Sequence, residues 1–581
     1  VTDWGGSNDH VEGVKNGSTL EMPSPGLGGA RKLLKAVAEG SLTEQEIDLR
    51  VDELLDLVLS TTAAMEKAHR SFDEKAHHEL AQRAAAESIV LLKNEGGILP
   101  LKHSKKIALI GDFALTPRYQ GAGSSMVNPT RVDSLKDAME AAELDMVGYC
   151  AGYERSGKPN KAYLEEAVSQ AKMADVVILC IGLDESSESE GLDRTHIGIP
   201  AAQKQLLDAV TAVNPNVVAV VSAGSVIETD WVEQCKAVVH GYLGGQAGAG
   251  AMLEVLTGWQ NPCGKLAETI PLRYEDTPAA RYFPGRKQNA EYREGLYVGY
   301  RYYETANKAV RYPFGYGLSY TTFAYSDLKV NAENVTFTIS NTGSVAGAEI
   351  AQLYVAKPDA AVFRPAKELK GFTKVFLKAG ESKTVSIPLD DKTFRYWNVA
   401  TDSWEVEGGS YQLLVGANVQ DIRLTAEIAL PGTGAPDPYA GKDLAHYRTA
   451  HVQEVPDAEF EALLGRPLPE ETTAIDRTMT LGELNHSRSP LCWLIAGVLT
   501  LLVRSGEKNG KPNLNILFQY NMPLRGLAQM TGGIIGEETV DGLVMEAKGF
   551  WVIGILRALV GLLQNYVANS RYQAKLDEQS R

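Results

Sequence analysis

Cysteine is scarce in this 581-residue chain, and the five present, Cys150, Cys180, Cys235, Cys263 and Cys492, lie far apart with no C-x-x-C pair. That spacing gives neither a zinc ribbon nor a disulfide framework, so reduced, packed thiols are expected, with a lean towards the cytoplasm. No metal or cofactor is expected. Long apolar runs are also missing: 491–503 holds 13 residues, short of the roughly 20 that cross a bilayer. A second apolar segment, 550–563, contains Arg557. The two are expected to form a helical hairpin packed on itself or on another surface, and membrane contact is not expected. Cationic excess is absent as well. With 73 acids against 57 Lys plus Arg and a formal charge of −16, a nucleic-acid partner held by its phosphates is disfavoured. Nor is there a nucleotide signature. Neither Gly111 nor Gly121-Ala122-Gly123-Ser124-Ser125 supplies G-x-G-x-x-G or a P-loop lysine.

What is present divides into several folded parts, as the length and the 44% hydrophobic content require. The chain opens Val1-Thr2-Asp3-Trp4-Gly5-Gly6. β-Branched residues before an acid and glycines after a tryptophan read as the end of a buried strand delivering Asp3 to a site. Trp4 is large enough to stack on a sugar ring. From these six residues alone, a solvated loop acid beside a core tryptophan reads as well. Helical periodicity follows to about residue 59, with Thr43 and Glu46 spaced as a capping box.

Over 73–320, apolar runs alternate with amphipathic helices. A helix is expected at 79–94, then strands at 106–111, 146–150, 175–182, 217–223 and 237–243, with helices at 161–173 and 202–213 between them. Such alternation implies a mostly parallel sheet covered on both faces. Over 325–430 short strands separated by Gly-containing turns fit a β-sandwich. The remainder, 431–581, is read as mostly helical.

After the third of those strands, 184–194 packs five acids and one arginine into eleven residues. Loops at the carboxyl ends of parallel strands are where α/β sheets place their sites. Crowded carboxylates raise one another's pKa, which suits a general acid; the same run also reads as a solvated face.

The opening motif, then Leu20-Glu21-Met22-Pro23, Gly121-Ala122-Gly123-Ser124-Ser125-Met126-Val127-Asn128-Pro129, Glu190-Gly191-Leu192-Asp193-Arg194, and the stretches 261–271 and 311–320 resemble, in that order, landmarks of family 3 glycoside hydrolases. The resemblance covers roughly residues 1–430. It implies a multidomain α/β plus β protein: 1–72 a remnant of a (β/α)8-like barrel, 73–320 an α/β sandwich domain, 325–430 a fibronectin type III-like domain and 431–581 a helical C-terminal extension. Asp3 would be the nucleophile, Glu190 the acid/base with Glu188 as its rival, and Trp4 an apolar wall. Asp193 and Arg194 would form an ion pair holding the loop.

The implied activity is that of a retaining exo-β-glycosidase, a β-glucosidase acting on β-linked oligosaccharides or aryl and alkyl β-glycosides. A β-xylosidase or mixed specificity stays open, as does a non-catalytic carbohydrate-binding or scaffold protein. The N-acetylglucosaminidase branch fits less well, because it commonly carries its acid/base on a barrel loop. The resemblance also implies that most of the barrel, with its Lys-His pair and sugar-binding aspartate, is missing. This chain alone is therefore expected to be poorly active. A signal peptide could not be seen in a chain that opens mid-barrel, and homo-oligomerisation stays open.

Overall fold

The computed structural model describes residues 1–68, 71–102, 104–285, 289–469, 474–508 and 513–579. They divide into two compact units, Val1–Asp73 with Glu471–Arg581, and Glu74–Glu470.

The Glu74–Glu470 unit is built on a six-stranded sheet: β1 (Val90–Asn94), β2 (Ile107–Ile110), β3 (Met146–Cys150), β4 (Val176–Gly182), β5 (Val217–Ser222) and β6 (Ala237–His240). The spatial order is β1-β6-β5-β4-β2-β3, parallel throughout except for β1, which runs antiparallel to β6. Every residue of β2, β4 and β6 is buried, as strands covered on both faces require. Alternate residues of β4 feed two cores. Val177, Leu179 and Ile181 meet Ala171, Leu206 and Val210 on one face, while Val176, Ile178 and Cys180 meet Met139, Met252 and Leu256 on the other.

One element differs from the expectation. The helix expected at 79–94 is Glu74–Ser88, and the rest of that stretch is β1. Ile89, Val90, Leu91 and Leu92 are at most 3% exposed. Four consecutive apolar residues would encircle a helix, but a strand between two cores buries all of them.

A sandwich of two antiparallel sheets follows. One sheet holds Ser382–Pro388, Asn334–Asn341 and Phe323–Val330. The other holds Glu368–Leu377, Gly347–Ala356, Gly409–Gly416 and Ile422–Leu430. Asn334–Asn341 buries every second residue, so Val335, Phe337 and Ile339 face Leu353, Leu413 and Val415 across an apolar core. The packing does not change at residue 431. Leu444, Tyr447, Val452 and Phe460 pack with Tyr297, Tyr302 and Tyr303, and the Tyr297 hydroxyl donates to Tyr447 O at 2.5 Å. Buried aromatic area thus ties 439–464 to this unit rather than to a separate extension.

In the other unit, Glu537–Ala547 and Trp551–Gln579 form a helical hairpin whose axes approach through Gly542, Gly554 and Gly561. A Cβ on Gly554 would lie 2.4 Å from Glu546 N. The expected hairpin between the two apolar segments is not the main arrangement. Pro490–Lys508 packs chiefly on Gly482–His486 and Leu514–Asn521. Trp551–Gln579 has the length and composition of a membrane span, but its Arg557 pairs with Glu538 and Asp541 at 2.8 and 3.0 Å. The first residues join this unit too, through Arg31 to Asn565 at 2.6 Å and Lys32 to Glu537 at 2.7 Å. Thr43 caps Glu44–Lys67 with the expected capping box, and that helix leaves Leu55, Val58 and Leu59 exposed. All five cysteines are unpaired and buried.

Candidate active site

β2 and β4 are neighbours, yet the chain leaves β2 for β3 on one side and returns to β4 on the other. Open α/β sheets bind ligands in the crevice beyond such a reversal. Here the segment following β2 meets the acidic loop following β4. Ala122 bridges Ser189 in parallel register, and Glu190 N donates to Ala122 O at 2.9 Å. Ser124 then donates its backbone N–H and its hydroxyl to Glu190 Oε2, each at 2.6 Å.

Gly123 makes this approach feasible. Its φ is +133°, and a Cβ there would lie 2.5 Å from Glu190 Cβ, so a side chain is excluded on both counts. Glu190 itself is exposed. The hydroxyl and backbone donors of Ser124 hold its carboxyl below the ordinary carboxylate value. The expected upward shift by crowded acids is therefore not found at Glu190. The neighbouring acids are engaged elsewhere.

Asp184 is buried and accepts from the Ser187 N–H at 2.9 Å and the Ser187 hydroxyl at 2.7 Å. Glu185 takes a bidentate pair from Arg155, Nη2 at 2.7 Å and Nε at 3.0 Å, while Arg155 Nη1 reaches Asp112 at 2.8 Å. Burial pushes the Glu185 pKa up, but Arg155 outweighs it and the net direction is down. Glu188 accepts from Gly224 N at 2.8 Å and from Ser225 Oγ at 2.5 Å. It pins the loop to the turn after β5.

Arg194 anchors the same turn rather than pairing with Asp193. Its Nη1 donates to Ser225 Oγ at 2.7 Å and Val226 O at 2.9 Å. Two part-buried acceptors in fixed positions hold the guanidinium better than the solvated carboxylate one residue away. Glu268, from the 261–271 stretch, has the raised pKa that Glu190 lacks. Burial is the main cause, with Tyr242 opposing, Glu188 adding and Arg194 opposing.

No motif in the sequence announces Arg155, Asp112, Ser124 and Glu268 as neighbours of the acidic loop. Arg155 carried a usable signal, a cation five residues beyond Cys150 and so just past the carboxyl end of β3.

Asp3 and Trp4 belong to the other unit. No strand forms at 1–3; Asp3 is exposed and Trp4 is 58% exposed. Asp3 Oδ1 accepts from Trp4 N at 2.8 Å, and Gly6 N closes a turn on Asp3 O at 3.0 Å. Thr2 N donates to Leu20 O at 3.0 Å and Gly5 N to Met22 O at 2.8 Å. Two backbone bonds set the opening motif beside Leu20-Glu21-Met22 without making a ladder. Behind them His10 Nδ1 meets Glu21 Oε2 at 2.5 Å. Among the described residues, no group of three or more His, Cys, Asp or Glu is placed to hold a metal ion.

Residues 89–320 match the glycosyl hydrolase family 3 C-terminal domain, and 349–419 match a fibronectin type III-like domain. The chain is 42% identical over 558 residues to the thermostable beta-glucosidase B of Acetivibrio thermocellus, covering 94% of this chain and 69% of that protein. It is 44% identical over 454 residues to an exo-alpha-(1->6)-L-arabinopyranosidase of Bifidobacterium longum, covering 75% of this chain and 60% of that protein. The chain thus spans less than two thirds of the latter's length. Among solved structures, a GH3 beta-glucosidase of Bifidobacterium adolescentis superposes with a TM-score of 0.72 at 40% identity, over 85% of this chain and 68% of that one.

Proposed function

The chain belongs to glycoside hydrolase family 3, and from that premise we propose that its protein is a retaining exo-β-glucosidase releasing nonreducing-end glucose from β-glucosides. The observation that carries the proposal is the 42% identity to a β-glucosidase along 94% of the chain. In this reading residues 1–72 are part of the barrel. Asp3 is the nucleophile, Glu190 the acid/base and Trp4 an apolar wall for the sugar or its leaving group.

Retention needs a working pair of carboxyl groups about 5–5.5 Å apart. Asp3 attacks the anomeric carbon to give a glycosyl ester while Glu190 protonates the departing oxygen. Glu190 then removes a proton from the water that hydrolyses the ester. The Ser124 donors favour the ionised carboxylate and so serve the second half of this cycle. The first half needs a proton on Glu190, which a substrate that loosens the Ser124 bonds would favour. The relatives' unmatched length leaves part of a sugar site unaccounted for, so the 581 residues alone should turn over aryl β-glucosides poorly.

The test is separate substitution of Asp3 and Glu190 in the longest active form of the protein. Asp3→Gly should abolish turnover. Glu190→Ala should lose activity on poor leaving groups far more than on dinitrophenyl glucosides, and azide should restore it through a β-glycosyl azide. Unchanged turnover of poor leaving groups by Glu190→Ala would remove Glu190 from the mechanism. The 44% identity to an arabinopyranosidase favours a second reading, mixed specificity. Parallel assays on aryl glucosides, xylosides and arabinopyranosides decide it.

A further inference from the structure

At the carboxyl ends of β4, β5 and β6 the Glu74–Glu470 unit has a partly open cavity of about 60 Å³. Cys180, Val220, Ser222 and Gly241 line its floor, and helix Gly248–Thr257 begins at its wall. Arg118 also lines it and is 3% exposed. Among the described residues, the Arg118 Nε has no hydrogen-bond partner, and Nη2 makes only a long bond of 3.4 Å to Glu188 O. A guanidinium carries five donors, and a buried donor left unmatched is destabilising. Desolvation works against its charge.

The helix adds a second source of positive potential. Its N-cap, Ala247, offers no side-chain cap to the first-turn N–H groups, and those groups carry the positive end of the helix dipole. Around a Cβ position at Gly248 there is open space. Asp184, Glu185 and Glu188 are the carboxylates acting on Arg118, with Arg155 as an opposing cation. None of these four lines the cavity. Each carboxylate already has donors in Ser187, Arg155 or Gly224 and Ser225.

We propose that this cavity binds one small monovalent anion, of the halide, nitrate or formate class, between the Arg118 guanidinium and the N-terminus of helix Gly248–Thr257. The chemistry of the lining sets the class: a buried guanidinium and the amide end of a helix face one another across side chains that are otherwise mostly apolar. Ile89, Leu135 and Met252 on the remaining wall disfavour strongly hydrated sulfate or phosphate, whose lost hydration they cannot replace. Because Arg118 also holds the Glu188 carbonyl, the bound anion would steady the loop that carries Glu190.

The experiment is thermal unfolding of the purified chain at fixed pH and ionic strength, replacing sodium gluconate stepwise with sodium bromide. The proposal expects a saturable rise in the midpoint with bromide, smaller in Arg118→Lys and absent in Arg118→Met. A linear rise, no rise, or an undiminished rise in folded Arg118→Met overturns it. Should that variant fail to fold, bromide-soaked crystals of the unsubstituted chain decide by anomalous scattering. A peak within hydrogen-bond reach of Arg118 Nε supports the site, and its absence at saturating bromide overturns it. Neither readout depends on glycosidase activity.

Discussion

Ser124 gives both of its hydrogen-bond donors to one oxygen of Glu190, at 2.6 Å from the backbone nitrogen and 2.6 Å from the hydroxyl. Both bonds favour the charged carboxylate. Ser124→Ala removes the hydroxyl donor, so the Glu190 pKa should rise. If Glu190 is the acid, the basic limb of the kcat/KM profile reports loss of its proton and should move to higher pH. An unmoved limb would mean that another group sets it.

Gly123→Ala should be more damaging than its size suggests. The new methyl meets Glu190 Cβ at 2.5 Å on a backbone held at φ +133°, so the carboxylate must shift. A displacement of about 1 Å lowers catalysis on the order of 10²-fold. Circular dichroism should remain native while kcat falls, and retained kcat would show that the loop accommodates the methyl.

Glu188→Ala separates the two candidate glutamates. It leaves the Gly224 N–H and the Ser225 hydroxyl without their acceptor, an expected loss of about 1–3 kcal/mol. Urea unfolding should register that loss, and azide should restore nothing. Azide rescue of Glu188→Ala but not of Glu190→Ala would exchange their roles.

Arg155→Met removes a bidentate partner of Glu185 and a partner of Asp112. The Glu185 pKa is depressed in the fold. Its contribution is therefore present above the ordinary glutamate value of about 4.3 and is lost as pH falls through the lower folded value. Acid titration of stability should show this loss in the parent and a shallower loss in the variant. With all three side chains partly exposed, the neutral-pH effect should be on the order of 1–2 kcal/mol.

His240 supplies a second pH dependence. It is 2% exposed, and burial pushes its pKa down to about 4. The unfolded chain, titrating near 6.5, binds the proton first, so stability should fall between about pH 6.5 and 4 by about 3 kcal/mol and level off below. His240→Gln should flatten that segment of the urea-unfolding profile. An equal slope in both proteins would assign the dependence to other groups.

The parallel strands were legible because Val176–Gly182 and Val217–Ser222 are apolar runs between helices of the right length. The sandwich was legible because Asn334–Asn341 alternates. β1 was not, since Ala84-Ala85-Ala86 leads into Ile89-Val90-Leu91-Leu92 without a breaker and only pairing with β6 decides the change. The acidic loop was placed correctly at a strand's carboxyl end, but the state of its acids was not readable. Ser124 lies 66 positions before Glu190, and Arg155 lies 30 before Glu185; no local pattern announces such partners. Val1 and Thr2 form no strand before Asp3, because their strand propensity needs neighbouring strands to be realised.

The five sequestered sulfurs make the molecule convenient to instrument. Burial drives the Cys150, Cys180, Cys235 and Cys492 thiols up to about 12 and raises Cys263 as well, so thiol-directed dyes should bypass them at neutral pH. A single reporter introduced by Thr195→Cys, at an exposed position beside the Glu190 loop, would carry the label alone. Its fluorescence or spin signal could follow that loop through a turnover without deleting a native residue elsewhere.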